Sequence, residues 1–277
     1  MTPNNQLTVA SCVSFEGIGV HTGKLNYIKI HPADENTGII FVKNRNEIKA
    51  TIKNVVSTIS STTIGKDGET ISTIEHLMAA FYGLGIDNAI ITVKGSEIPI
   101  LDGSSRIFFE KMLKAGLKTL DDGKFVAELT EYVEFNDSDR TMLGKPCREL
   151  KIEYSIGYPA VGLKESMRYV HTMENFREIM DARTFVIKQR YADLRGLNLG
   201  KGVVPDKNTI IIDNEVIKNR AIRENCIKHK VLDCVGDLYL IGSPLHADIY
   251  CQKGGHGIHI GFLRKVLEAG ALKFYKI

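Results

Sequence analysis

Thr73-Ile74-Glu75-His76-Leu77-Met78-Ala79-Ala80-Phe81-Tyr82-Gly83-Leu84-Gly85, followed closely by Ala89-Ile90-Ile91-Thr92-Val93, decides the fold class of this 277-residue chain. Ile74, Leu77, Met78, Phe81 and Leu84 recur at helical spacing, which predicts an apolar helix from about Thr73 to Leu84. Gly83 and Gly85 end it, and the branched run 89–93 reads as a buried strand. Outward from this unit, residues 6–60 read as short strands and Ser105 to Ala115 as a second helix closed by Gly116. Asp121-Asp122-Gly123-Lys124 is a polar turn cluster and the candidate linker. After it come strands near 125–134 and 148–156 and a short helix near 173–180. Residues 186–212 are expected to form a loop-plus-strand insert. A long helix follows at about 225–241, then a strand at 247–251 and a last helix at 261–269. The expected class is α+β, with sheets covered by helices and two domains, 1–122 and 123–277.

Apolar residues make up 43% and charged residues 25%, which suits a globular chain with a full core. A formal charge of +3 argues against a general nucleic-acid binder. Five cysteines without a C-x-x-C pair suggest reduced thiols. Val9-Ala10-Ser11-Cys12 looks like a lipoprotein cleavage box, but neither a charged segment nor an apolar run precedes it. No stretch approaches the ~20 apolar residues of a membrane span. The expectation is a cytoplasmic protein.

Three segments can carry chemistry. In the first, Glu75 and His76 sit near a helix start and point about 100° apart. One could bind a metal while the other reaches a bound water, although Ser72-x-x-Glu75 also fits a capping box. In the second, His229, Asp233 and Asp237 lie four apart and share one face of an otherwise apolar helix. Such groups must be paired, solvated or metal-bound. The alternatives are a surface ion-pair stripe with Lys230, or a structural site using Cys226-x-x-His229 that lacks a second pair. In the third, Gly254-Gly255-His256-Gly257 could present a histidine to a developing oxyanion or a leaving amine; a tight turn with an exposed histidine is the plain alternative. The set offers three N/O ligands with an open position and a glutamate beside one of them, which is hydrolase chemistry. Gly17–Lys24 is neither a dinucleotide fingerprint nor a P-loop, and no G-x-S-x-G elbow occurs.

Ser14–Lys24, Thr73–Leu77, Gly85–Asn88, Glu97–Ser104, Ala182–Phe185, the His229–Asp237 helix and Gly255-His256 together resemble the UDP-3-O-acyl-N-acetylglucosamine deacetylases. The resemblance spans roughly residues 14–260. It implies a zinc-dependent amide hydrolase that removes an N-acetyl group in lipid A biosynthesis. It implies two similar layered α+β domains with the site between them. His76, His229 and Asp233 match the family's zinc ligands and Glu75 its general base. His256 matches the cationic histidine that meets the oxyanion and the amine, Asp237 the carboxylate that orients it, and Thr184 the hydroxyl beside the carbonyl. Lys230 and Phe185 match substrate-binding residues. The insert 186–212 resembles the segment that forms an acyl-chain passage, although Val186–Arg190 and Gly200-Lys201-Gly202 depart from the family pattern. The implied partner is the acylated nucleotide sugar, handled by a monomer with no nucleic acid, no transmembrane anchor and at most peripheral membrane contact. Rival readings are a zinc deacetylase of another sugar and a non-catalytic sugar-nucleotide binder.

Overall fold

The computed structural model describes residues 4–277. Among them it has six α-helices, labelled α1 (Glu75–Leu84), α2 (Arg106–Ala115), α3 (Met173–Ile179), α4 (Lys188–Gly196), α5 (Arg220–Leu238) and α6 (His256–Glu268). A five-stranded sheet runs in the order Val13–Ile18, Leu25–His31, Ala89–Lys94, Ile39–Lys43, Asn46–Lys49. Its one parallel pair joins Ile39–Lys43 to Ala89–Lys94, the strand that follows α1. A seven-stranded sheet is built around Leu245–Gln252, the strand that joins α5 to α6. The expected α+β class and the helix–strand–helix order of both halves are therefore present.

Several boundaries differ from the sequence reading. Helix α1 starts at Glu75, because Thr73 takes a φ of 61° and its hydroxyl donates to Glu97 at 3.0 Å. Helix α6 starts at His256 instead of 261, and the chain ends in a further strand, Leu272–Lys276. The insert contains α4 as well as the parallel pair Phe185–Ile187 and Ile210–Ile212. None of α4's residues is buried, so no apolar period marked it in the sequence. Asp121–Lys124 is no free linker. Leu117–Gly123 is a strand paired with Asn5–Val9, and Lys124 is buried with its ammonium 3.0 Å from Asp87. The polar residues that read as a turn are taken up by partners: Asn36 donates to Asp122 at 2.9 Å and Lys276 pairs with the same carboxylate.

The two buried helices meet at one glycine. All ten residues of α1 are buried, and α5 packs along it. A Cβ on Gly236 would lie 2.0 Å from the carbonyl oxygen of Glu75 and 3.1 Å from the amide of Ala79. Only glycine permits this approach, and it brings the polar face of α5 against Glu75 and His76. Gly236→Ala is expected to destabilise the fold by roughly 1–3 kcal/mol, the usual range for overpacking a dense interior, and to weaken metal binding by spreading the helices. Denaturant unfolding and metal titration of the variant check both effects.

Candidate active site

Helix spacing turns sequence neighbours into a converging cluster. His76 Nε2 lies 3.2 Å from His229 Nε2 and 3.3 Å from Asp233 Oδ1, and His229 Nε2 lies 3.4 Å from Asp233 Oδ1. All three residues are buried. For bonds of ~2.0–2.1 Å, a tetrahedral ion such as zinc spaces its ligand atoms ~3.3–3.4 Å apart. The observed triangle has those edges. Burial pushes His229 well below the usual histidine range, against the pull of Asp233. Burial also opposes the charge on Asp233, but His229, Lys230 and His76 outweigh it and keep the carboxyl well below its usual range. The Nδ1 atoms of His76 and His229 are buried without a hydrogen-bond partner among the described residues. The donor set fits a divalent cation with the fourth position open to the cleft.

A second cluster, Asp237, His256 and His259, is of another kind. Both Nδ1 atoms lie 2.7 Å from Asp237 Oδ2, the length of a charge-assisted hydrogen bond and too short for two ligands of one metal. Asp237 Oδ1 accepts from the Thr62 hydroxyl at 2.6 Å. Burial opposes the charge on Asp237, yet the His256 charge and the two imidazole donors bring it down to about 2. Burial likewise opposes the His256 cation, but Asp237 and Glu75 outweigh it and lift His256 to about 9. Its Nε2 lies 3.7 Å from Glu75 Oε1. The other oxygen of Glu75 accepts from the amide of Thr62 at 3.0 Å. Burial first, then Asp233 and Asp237, raise Glu75 to about 7 against the His256 charge. The site thus holds a carboxylate of raised basicity and an imidazolium side by side.

Helix α1 has no side-chain cap, and Ser72 donates to the Ser96 carbonyl, so the capping-box reading of Glu75 fails. The surface-stripe reading fails too, because His229, Asp233 and Asp237 are all buried. His256 opens α6 as a buried residue, not as an exposed turn histidine. Cys226 is buried in the core, its thiol pushed up to about 12 by burial, and it stands outside the triad. Lys230 donates to Asp233 Oδ2 at 2.6 Å and lies 5.9 Å from the Phe185 ring centre. Phe185 in turn meets His229 edge-on at 5.5 Å. Thr184 lines the same cleft as Glu75, His76, His229, Asp233 and His256. Its backbone is fixed by bonds to Gly103 and Ile210 at 2.8 and 3.0 Å. All nine sequence-derived residues therefore belong to one neighbourhood, with Asp237 beneath the cleft behind His256.

Sequence reasoning missed Thr62, Tyr154 and His259. Thr62 sits in the polar run Ser60-Ser61-Thr62-Thr63, which carries no periodic signal. His259 follows His256 by three residues on α6; a helix start read at 256 would have placed the two on one face.

Residues 6–268 match the family model described as UDP-3-O-acyl N-acetylglycosamine deacetylase. The chain belongs to this family, and it is a deacetylase, a hydrolase acting on an amide. It is 38% identical to the protein named UDP-3-O-acyl-N-acetylglucosamine deacetylase of Thermodesulfovibrio yellowstonii over 272 residues, covering 96% of this chain and 92% of that one. A Chlamydia felis protein of the same name is 35% identical, covering 97% of this chain and 99% of its own length. One from Nitratidesulfovibrio vulgaris is 32% identical, covering 97% and 89%.

Two outcomes follow from the geometry. His76→Ala or His229→Ala is expected to lose the metal, since too few ligands remain; metal content by mass spectrometry after chelation and zinc return checks this, with the parent expected to hold about one ion. The kcat/KM profile is expected to be bell-shaped. A raised pKa keeps His256 charged as pH rises, until about 9. Asp237→Asn removes the strongest charge that raises it, so the basic limb should move to lower pH while the metal stays bound.

Proposed function

We propose that this chain hydrolyses the N-acetyl group of UDP-3-O-acyl-N-acetylglucosamine to UDP-3-O-acyl-glucosamine and acetate, the committed step of lipid A biosynthesis. The observation that carries the reading is the buried His76–His229–Asp233 triangle, with edges of 3.2–3.4 Å, and Glu75 next to it in the chain. Those three residues would hold zinc. When bound, zinc supplies Lewis acidity toward water and the acetamide carbonyl.

The chain's own groups do the rest. Glu75, fixed through Thr62, takes the proton of the attacking water. His256 carries a proton on Nε2, meets the oxyanion, and passes that proton to the departing amine. Asp237 holds the His256 ring by Nδ1 and favours its charged form. Thr184 adds a hydroxyl beside the reacting carbonyl, and Phe185 and Lys230 wall the cleft around the sugar. Ile100, Val186, Ile187, Leu194 and Val203 line its apolar side and suit the 3-O-acyl chain. The reading extends to a cytoplasmic monomer organised as two units, 1–122 and 123–277. Among the described residues no helix is long and apolar enough to cross a membrane.

Glu75→Gln is expected to keep its metal and lose roughly 10²–10⁴ in kcat, the usual worth of positioned acid–base catalysis. A folded variant with normal activity removes Glu75 from the mechanism. The substrate is tested by comparing UDP-3-O-acyl-GlcNAc with UDP-GlcNAc. Each buried methylene can contribute about 0.8 kcal/mol, so kcat/KM should fall steeply without the acyl chain. Equal values for the two sugars refute the lipid-tailed substrate.

A further inference from the structure

Behind the Asp237–His256 pair lies a buried extension. His259 is fully buried, three residues along α6 from His256. Its Nδ1 is 2.7 Å from Asp237 Oδ2 and its Nε2 is 2.9 Å from the Tyr154 hydroxyl. Tyr154 is itself fully buried, on the strand Leu150–Tyr158 beside Leu245–Gln252.

We propose that His259 and Tyr154 are positioning residues: Tyr154 holds the His259 ring by donating to its Nε2, and His259 donates its Nδ1 proton to Asp237, which holds Asp237 in place for His256. The proposal rests on the reading of His256 as the group that serves the leaving amine.

The proton positions follow from counting donors. An ionised carboxylate only accepts, so the Nδ1 atoms of both His256 and His259 must carry hydrogen. Burial keeps His259 below the usual histidine range, and the nearby His256 charge adds to this, so the ring is neutral. A neutral ring with Nδ1–H has a lone pair on Nε2. The Tyr154 phenol, kept protonated by burial, fills it. In the other tautomer two lone pairs would face each other across 2.7 Å at Asp237, so Asp237 selects the Nδ1–H form, and removing the Tyr154 hydroxyl removes the donor that holds the ring from its other side. A partner that holds a buried histidine in its hydrogen-bonding position acts on rate without touching substrate.

The backbone is built around the same hydroxyl. A Cβ on Gly254 would lie 2.4 Å from the Tyr154 oxygen and 2.3 Å from Cys251 Sγ. The segment leading into His256 therefore rests directly on Tyr154. Asp237 is held from three sides, by Thr62, His256 and His259. With His259's donor gone, Asp237 keeps Thr62 on Oδ1 and His256 on Oδ2, and the oxygen that orients His256 loses one of its two restraints.

The test uses metal-loaded full-length protein and two independent readouts. Nitrogen NMR of labelled histidines reads the tautomer of His259 directly, without reference to activity. Nδ1–H is expected, and an Nε2–H form in the parent protein overturns the proposal even if the enzyme is fully active. Kinetics on UDP-3-O-acyl-GlcNAc form the second readout, and an inactive parent would refute the functional reading and leave the NMR result standing. Tyr154→Phe removes one oxygen and keeps the ring. It should lower kcat roughly tenfold, in the range seen for partners that orient a functional group, with KM and metal content within about twofold. His259→Leu should lose more, and His259→Asn, which retains an N–H donor, should recover a large part of that loss. Unchanged kcat in both Tyr154→Phe and His259→Leu, or a loss that tracks metal content instead, overturns the positioning role.

Discussion

The close contact of α1 with α5 is the constraint on which the site depends. A metal triangle with edges near 3.3 Å tolerates little movement, yet its corners come from helices separated by some 150 residues of sequence. The carbonyl of Glu75 lies where a Cβ of Gly236 would be. That contact sets the helix separation at the level of the candidate base, and His76 follows one residue later on α1. On α5 the residues that face it, His229, Asp233 and Asp237, stand at successive four-residue steps. A helix face thus becomes a ruler, with its zero set by a glycine.

Charge is the second constraint. Three buried carboxylates, Glu75, Asp233 and Asp237, lie beside two cations, the partly buried Lys230 and the buried His256. Such groups persist in an interior only when each has partners. Lys230 takes one oxygen of Asp233 and leaves the other toward the histidines. Thr62, His256 and His259 take up Asp237. Glu75 has one backbone donor and a histidine at 3.7 Å, the thinnest set of the three, and its basicity rises to about 7. The shortage of positive charge near the triad is what a dication would make good, and the least satisfied carboxylate is the one placed to take a proton.

Much of this was legible in the sequence because it is periodic. The apolar run of α1 and the four-residue spacing on α5 reported helices and their faces, and a histidine and two acids on an otherwise apolar face had to be paired, solvated or metal-bound. The unread parts lack a period. No residue of helix α4 is fully buried, and Asp121–Lys124 looks like a turn; the strand identity of Asp121–Gly123 rests on pairing with Asn5–Val9, a contact more than a hundred residues away. The sequence places the start of α6 too late because Gly254-Gly255-His256-Gly257 reads as a turn. Gly255 is extended and Gly254 is required by the packing of Tyr154, not by a turn. That late start hid His259, and Thr62 was hidden because its value lies in what it touches.

Asp233 and Asp237 show how one repeat serves two purposes. They are the same residue type, one turn apart on one helix face, and both are buried. What separates them is the set of groups each one meets. Asp233 meets two imidazoles through their Nε2 atoms, at 3.3 and 3.4 Å, and these leave room for an ion. Asp237 meets two imidazoles through their Nδ1 atoms at 2.7 Å, a spacing that leaves room only for a proton. The distinction is therefore made by α6 and the Leu150–Tyr158 strand, which set which nitrogen faces the carboxylate and how near it comes. Helix α5 alone gives Asp233 a histidine and a lysine and gives Asp237 neither; the packed chain adds His76 to make the first a candidate ligand, and His256 and His259 to make the second the anchor of a histidine.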